Sequence, residues 1–189
     1  KRCNPDEWRM QRRGGTGKKG MNTRSEDFVT SLFIANTHDL LLVFTNQGRV
    51  LPLPVYELPE SGRGAKGRPI INLVPMRDDE RVASVVTVRS LKITEDDSDE
   101  ADDASEEEEV QESTGPHLLF ISRSGLVKRC TLEAFKNLRK GGMIAVGIAD
   151  GDELLAVRLV ENEDDHIMLL TKNGQCIRFD QGQVRVMGR

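Results

Sequence analysis

Aromatic residues are scarce in this sequence, which has one Trp, one Tyr and six Phe. Any core must therefore be built mainly from Val, Leu and Ile, residues that favour strands. Cysteine is scarce too, and Cys3, Cys130 and Cys176 form no C-x-x-C pair. This spacing disfavours a disulfide framework and a cysteine-rich zinc site, so no metal ligands are assigned. No apolar run approaches the roughly 20 residues of a membrane-spanning helix, and no membrane partner is expected.

The three cysteines are expected to be small buried apolar residues in a reducing cytoplasm. The sequence starts at Lys1 without an initiator Met and stops at Arg189 without a terminal turn signal. We therefore expect a fragment of a longer protein.

The net charge of −4 hides two regions of opposite sign. Between Ile93 and Pro116 there are 12 acidic residues and no Lys or Arg. The rest of the chain has 27 basic and 19 acidic residues, a net charge of +8. So many charges with so few apolar residues cannot bury enough surface to offset the ordering entropy. The sequence predicts a disordered acidic insertion over 93–116 in a basic folded chain.

The rest of the chain is a repeat. Segments 40–64, 118–142 and 167–189 each have an apolar run, a turn that ends in Gly, a short mixed strand and a loop, and "KRCNPDEWRMQRRGG" at the N-terminus aligns without a gap on "KRCTLEAFKNLRKGG". In this alignment Trp8, Tyr56, Phe135 and Val184 share one position. We interpret that position as an anchor in the core or at the edge of each unit. His117 and His166 also share a position, so they are template residues and not metal ligands.

A second apolar element follows each loop. "DDERVASVVTV" from Asp78 resembles "DGDELLAVRLV" from Asp150, and "SEDFVTSLFIA" from Ser25 is a looser copy. Several short strands in a repeat of about 50 residues are typical of propeller-like folds. The predicted fold class is therefore all-β, a propeller-like fragment. Its regions are 1–24 (end of a first unit), 25–92 (second unit), 93–116 (acidic insertion), 117–165 (third unit) and 166–189 (start of a further, truncated unit).

The loop "QRRGGTGKKG" at residues 11–20 combines four basic residues with four glycines. A nucleotide-binding P-loop needs Gly at position 12 and Ser or Thr at position 19, where this chain has Arg12 and Lys19. The segment after the loop reads as a strand and not as a phosphate-binding helix. A basic loop whose glycines let the main chain approach a polyanion remains.

The equivalent loops of the next two units, "SGRGAKGRP" and "KNLRKGG", are basic as well. Loops at one repeat position lie on one rim of a propeller, so three basic loops predict a curved positive track for a polyanion. The residues expected at this track are Arg12, Arg13, Gly14, Gly15, Gly17, Lys18, Lys19, Arg63, Lys66, Arg68, Lys136, Arg139 and Lys140.

The stretch "QRRGGTG" resembles the A-box, Q-R-R-G-G-K-G, of the DNA gyrase A C-terminal domain. Most of the remaining chain is similar to the blades that follow the box in that family, notably "SEDFVTSLFIANTHDLLLVFTNQGRV", "SGRGAKGRPIINLVP", "DDERVASVV", "DGDELLAV" and "VRVMGR". The resemblance covers nearly everything except 92–116. The A-box is absent or degraded in the related topoisomerase IV subunit.

The resemblance implies a β-pinwheel, usually of five or six blades, of which this chain holds about three. It implies that the partner is double-stranded DNA, bent around the basic rim so that an ATP-dependent enzyme introduces negative supercoils. It also implies that Gln11 belongs to the DNA-binding box, together with Arg12, Arg13, Gly14, Gly15 and Gly17. The other implied partners are the gyrase A N-terminal domain and the gyrase B subunit, in the bacterial cytoplasm at the nucleoid. ATP and Mg serve the holoenzyme, so this segment is expected to need no cofactor and to hold no catalytic residue.

One residue of the box departs from the family pattern: Thr16 stands where Lys is usual. Lys18 and Lys19 follow at once and are available to replace that charge. Two other hypotheses remain open, namely a propeller-like module that binds an acidic protein, and the C-terminal domain of a topoisomerase IV subunit.

The acidic insertion leads to a first prediction. It is either a passive solvated segment or a competitor of the polyanion for the basic loops. If it competes, deleting 95–112 raises DNA affinity most at low salt, where charge interactions are least screened. The measurement is DNA affinity of both proteins at several salt concentrations. Equal affinities at low salt would leave the passive interpretation standing.

Overall fold

The structure is a computed structural model that describes residues 1–89, 91–94, 115–162 and 164–189. Its strands are β1 (Leu40–Thr45), β2 (Arg49–Pro54), β3 (Val82–Val88), β4 (Lys92–Thr94), β5 (His117–Ser122), β6 (Val127–Thr131), β7 (Asn137–Arg139), β8 (Met143–Ile144), β9 (Leu154–Val160), β10 (His166–Leu170) and β11 (Cys176–Asp180). Short 3-10 turns occur at Pro5–Glu7, Val55–Glu57, Ile70–Asn72, Leu132–Phe135 and Gln181–Gln183. In these residues no helix is long enough to cross a membrane.

The repeat is visible in the strand register of the second and third units. In the second unit Leu40 of β1 pairs with Pro54 of β2 and with Val88 of β3. In the third unit His117 of β5 pairs with Thr131 of β6 and Val160 of β9. Both units also carry a register shift at the same place, after Phe44 and after Ile121. The chain therefore builds one antiparallel three-stranded pattern twice, and β10 and β11 begin it again.

The hairpin turns follow one design. A hydroxyl residue at or just after the end of the first strand accepts a hydrogen bond from the backbone N–H four residues later: Thr45 from Arg49 at 3.2 Å, Ser122 from Leu126 at 3.2 Å and Thr171 from Gln175 at 3.1 Å. The Gly between them has a positive φ in each unit, +82° at Gly48, +93° at Gly125 and +81° at Gly174. This confirms the turns predicted from the sequence, since glycine adopts a positive φ without a steric cost.

Strand β1 is buried on both faces, which is the main reason why the units stack. On one face Phe44 meets Phe120 of β5 edge-on, with 5.6 Å between ring centroids, and Phe120 in turn lies 6.2 Å from Phe135. On the other face Leu41 and Val43 pack in a second cluster with β2 and Val74. The first cluster is shared by the second and third units, so neither unit buries its apolar face alone.

Backbone hydrogen bonds join the same two units. The Gly48 carbonyl accepts from the Ala145 N–H at 2.8 Å and the Val146 N–H at 3.1 Å, and β8 pairs with the start of β2. The Leu154 N–H donates to the Asn46 carbonyl at 2.8 Å. We call this junction the seam between the second and third units. At this seam the hairpin turn of the second unit lies against the loop that follows the basic residues of the third unit.

A parallel contact recurs at the other seams. Glu60 pairs with Arg2, and Val186 pairs with Arg129, at equivalent repeat positions. Strand β7 occupies the same position in the third unit but pairs with β4. The equivalent residue on β2 is Pro52, which has no N–H to donate. Strand β4 overlaps the start of the predicted acidic insertion at residues 93 and 94, and residues 95–114 of that insertion lie outside the described residues.

Two expectations about the repeat are wrong. The register places Leu58, and not Tyr56, at the position of Phe135, because Pro54 is equivalent to Thr131. Phe135 is fully buried, whereas Tyr56 is 59% exposed. The sequence alignment matched the two aromatic residues, Tyr56 and Phe135. The strand register instead places the apolar residue Leu58 at the position of Phe135.

The strand expected in 25–35 is also absent among the described residues. Phe28, Leu32 and Ile34 are exposed there. The equivalent strands β3 and β9 pair with the first hairpin strand of their own unit. The predicted region boundaries themselves stay a prediction.

Gly48 and Gly125 provide a matched pair of substitutions that tests the seam. Both have a positive φ, so replacement by Ala costs each about 1–2 kcal/mol of stability. A Cβ at Gly125 meets open space, whereas at Gly48 it would overlap the Val146 carbonyl oxygen of the neighbouring unit. We expect Gly48→Ala to cost a further ~1–3 kcal/mol in urea unfolding. Equal losses for the two variants would contradict the close approach at the seam.

Candidate nucleic-acid interface

The first basic loop, residues 11–19, is a tight turn with its charges outward. The Gly15 N–H donates to the Arg12 carbonyl at 3.1 Å, and Gly14 has a φ of +88°. The Gly17 N–H donates to the Gln11 side-chain oxygen at 3.0 Å. Within the described part of the chain, the exposed side chains of Arg12, Arg13, Lys18 and Lys19 have no hydrogen bond or ion pair. The loop therefore presents four uncompensated positive charges.

The second basic loop, residues 62–68, is held against the first unit. The Lys1 ammonium donates to the carbonyls of Gly62 at 3.0 Å and Arg63 at 2.6 Å. The Asn22 side chain donates to the Gly64 carbonyl at 2.6 Å. Since Asn22 lies just after the first loop, the two basic loops are joined by this contact.

Arg63 has a structural contact in this loop. Its guanidinium donates to the Glu7 carbonyl at 3.0 Å, and its backbone N–H donates to the Glu7 carboxylate at 3.1 Å. Lys66 and Arg68 are exposed and have no such contact among the described residues. The outward charge of this loop thus rests chiefly on Lys66 and Arg68.

The third basic loop, residues 136–142, is fastened to the second unit. The Arg49 guanidinium donates to the Gly141 carbonyl at 2.8 Å. Gly142 has a φ of +83°, and a Cβ there would overlap Leu51 and come within 2.8 Å of the Val50 carbonyl oxygen. Lys136 and Lys140 are exposed, while Arg139 is half-buried. This loop is consequently fixed to the seam, with its lysines at the surface.

An open cleft of about 720 Å³ lies at the seam beside the third loop. Arg49, Arg77 and Arg139 line it. Arg49 is paired with the buried Glu80 at 2.7 Å, and Glu80 also accepts from the Arg77 backbone N–H at 2.8 Å. These bonds fix the turn that carries Arg77, whose exposed side chain lines the cleft together with Arg49 and Arg139.

The sequence alone did not reveal the roles of Arg49 and Arg77. Arg77 is followed by "DDE", so its charge is cancelled locally in the sequence. Arg49 belongs to a strand and not to a basic loop. A signal was nevertheless present, since Arg49 directly follows the turn glycine that the repeat predicts.

The described residues offer little for catalysis. They contain no group of three His, Cys, Asp or Glu side chains able to hold a metal ion. Hydrogen bonds from Ser122 and Ser124 hold the pKa of the Asp152 carboxyl well below its usual range. That carboxylate accepts from the Ser124 hydroxyl at 2.6 Å and the Ser124 N–H at 3.0 Å, so it fastens the start of β9 to the hairpin turn. Burial raises the pKa of the Cys130 thiol, which makes it a poor nucleophile.

The aromatic residues of the repeat do not make a stacking platform for bases. Trp8 is partly exposed, but its ring lies against Gly20, where a Cβ would overlap it. Tyr56 is exposed, whereas Phe135 lies in the core. These side chains therefore form no row on which bases stack. What the site offers chemically is fixed positive charge.

Comparison with known proteins gives consistent matches. A family profile described as DNA gyrase C-terminal domain, beta-propeller, matches residues 1–36, 39–89, 116–161 and 165–189. The DNA gyrase A protein of Halalkalibacterium halodurans is 40% identical over 96% of this chain and 19% of its own length. That of Escherichia coli K12 is 40% identical over 96% of this chain and 18% of its own length. That of Streptococcus pneumoniae is 41% identical over the whole chain and 20% of its own length. The chain thus spans about a fifth of these relatives.

Two solved structures share the fold. The crystal structure of a DNA topoisomerase IV C-terminal domain has a TM-score of 0.62 and 27% identity, and the match covers 82% of this chain and 41% of that one. A DNA gyrase A C-terminal domain has a TM-score of 0.58 and 22% identity, with 97% of this chain and 52% of that one covered. The all-β, propeller-like fold class is therefore confirmed.

Proposed function

The chain belongs to the DNA gyrase C-terminal domain family, and on that premise we propose that it binds and wraps double-stranded DNA as part of a gyrase A protein. The observation that carries the proposal is the set of three basic loops at successive unit seams. Their glycines and hydrogen bonds fix the backbone, and most of their Arg and Lys side chains are exposed, with Arg63 and Arg139 partly buried. Such charges attract the DNA backbone without reading its sequence.

The proposed mechanism assigns the chain a mechanical task. DNA that follows the basic loops from unit to unit is bent, and the wrap presents a neighbouring segment to the strand-passing part of the enzyme. That part comprises the gyrase A N-terminal domain and the gyrase B subunit, in the bacterial cytoplasm where the nucleoid lies. ATP and Mg act there, so the residues of this chain supply only binding and curvature.

Two other hypotheses are outcomes of the same experiments. A topoisomerase IV subunit would relax DNA without introducing negative supercoils. The complete Gln-Arg-Arg-Gly-Gly-x-Gly sequence at 11–17 favours gyrase over it. A module that binds an acidic protein would show little affinity for random duplex DNA and no linking-number change after ligation.

The box arginines are the first target. We expect Arg12→Ala/Arg13→Ala in the full gyrase A protein, assayed with its B partner, to abolish ATP-dependent negative supercoiling but to leave ATP-independent relaxation. Loss of two phosphate contacts should also make the fall of log affinity with log salt less steep, by up to about 2 units of slope. The matched Arg12→Lys/Arg13→Lys variant keeps the charges but not the bidentate geometry, and should fall between the parent protein and the alanine variant. Intact supercoiling in the alanine variant would refute the role of the box.

Arg77 is the second target, because the proposed DNA path from the second loop to the third crosses the cleft. We expect Arg77→Ala to weaken binding of long duplex DNA and to lower the salt slope by about 1. Arg81→Ala is the control, since Arg81 is exposed on the same turn but does not line the cleft. Equal effects of the two substitutions would show that the cleft is not on the DNA path.

A further inference from the structure

Gln11 belongs by sequence to the residues expected to contact DNA, yet its side chain is turned into its own loop. Its Oε1 atom accepts the N–H of Gly17, six residues later, at 3.0 Å. The bond joins the two ends of the loop, and the five residues between them are Arg12, Arg13, Gly14, Gly15 and Thr16. Its side-chain oxygen is therefore already engaged in the absence of DNA.

The three box glycines fit this closure in different ways. Gly14 and Gly17 have positive φ values of +88° and +70°, and a Cβ at either would meet open space. Gly15 lacks a positive φ, but a Cβ there would lie 2.7 Å from Gln11 Oε1 and 3.1 Å from Gln11 Cβ. Two glycines thus turn the chain, and the third leaves room for the Gln11 side chain.

We propose that Gln11 is a positioning residue, which holds Arg12 and Arg13 in the orientation that binds DNA and does not bind DNA itself. The inference rests on the proposed function of the two arginines. Both are exposed on a glycine-rich segment, and an unclosed loop would have to lose its conformational freedom on binding. The Gln11–Gly17 bond removes part of that freedom before DNA arrives.

The chemistry of the closure limits what can replace Gln11. The required group is an acceptor oxygen at the end of a side chain of this length. Met has similar length without the oxygen, and Glu keeps an oxygen at the same place but adds a negative charge. Asn keeps the amide but is one methylene shorter. Met is therefore the cleanest probe of the bond.

The decisive experiment is a double-mutant cycle in the full gyrase A protein, with long duplex DNA as the ligand and affinity measured at several salt concentrations. We expect Gln11→Met to weaken binding roughly 3- to 10-fold and to lower the salt slope, because the arginine contacts loosen. In the Arg12→Ala/Arg13→Ala background the same change should have no further effect. Additive loss with an unchanged slope would mean that Gln11 contacts DNA directly, and would overturn the proposal.

The cycle also separates failure of this inference from failure of the proposed function. If the double alanine variant binds DNA as well as the parent protein, the box itself is wrongly assigned. If that variant loses affinity but Gln11→Met alone changes nothing, only the positioning role is refuted. Gln175→Met is the matched control, an exposed Gln on the last hairpin turn, and should leave affinity and slope unchanged.

A second substitution tests the closure without removing Gln11. Gly15→Ala would place its Cβ against Gln11 Oε1, so it should reproduce the loss of slope. When combined with Gln11→Met it should add little. Amide hydrogen exchange supplies a readout independent of DNA, because the Gly17 N–H should lose protection in both single variants. Unchanged exchange at Gly17 would show that the bond does not persist in solution.

Discussion

The structure depends on the burial of β1 on both faces. A hairpin of this sequence has an apolar surface on each side, and its own unit covers only one of them with Val74 and the residues of β2. The other is covered by the next unit, through the contact of Phe44 with Phe120. Edge-to-face aromatic pairs add about 0.5–1.5 kcal/mol beyond the area they bury. Stacking of units is therefore a condition of folding, and the seam follows from it.

The seam in turn decides where the charges lie. The third basic loop runs along the second strand of the preceding unit, where Gly142 approaches Val50 and Leu51. A Cβ at Gly142 would overlap Leu51, so this close approach requires glycine at that position. Arg49 adds a bond to the Gly141 carbonyl and is neutralised by the buried Glu80. One arginine thus holds the loop, and the lysines beside it are left to face outward.

The sequence predicts the parts of this fold that repeat. Apolar runs and turns that end in Gly were enough for the hairpins, and internal similarity was enough for β3 and β9. The failures arise where a residue's neighbour is distant in sequence. Tyr56 was misplaced because register is set by packing and not by aromatic identity. Residues 25–35 read as a strand from their apolar residues, but among the described residues this segment pairs with no strand. Arg77 was missed because it lies beside Arg49 and Arg139 only when the two units pack together at the seam.

The three basic loops differ in what holds them, and this explains why only one of them has a recognisable motif. The second loop is held by Lys1, Glu7 and Asn22, and the third by Arg49 and the close approach of Gly142. Their conformations are thus imposed by neighbouring units, and their own sequences need only be basic and contain glycine where the chain turns. The first loop has its fastening inside it, from Gln11 to Gly17. A loop that sets its own geometry must encode that geometry in consecutive residues. On this argument the spacing of glutamine, arginines and glycines at 11–17 serves the closure of the loop as well as the proposed contact with DNA.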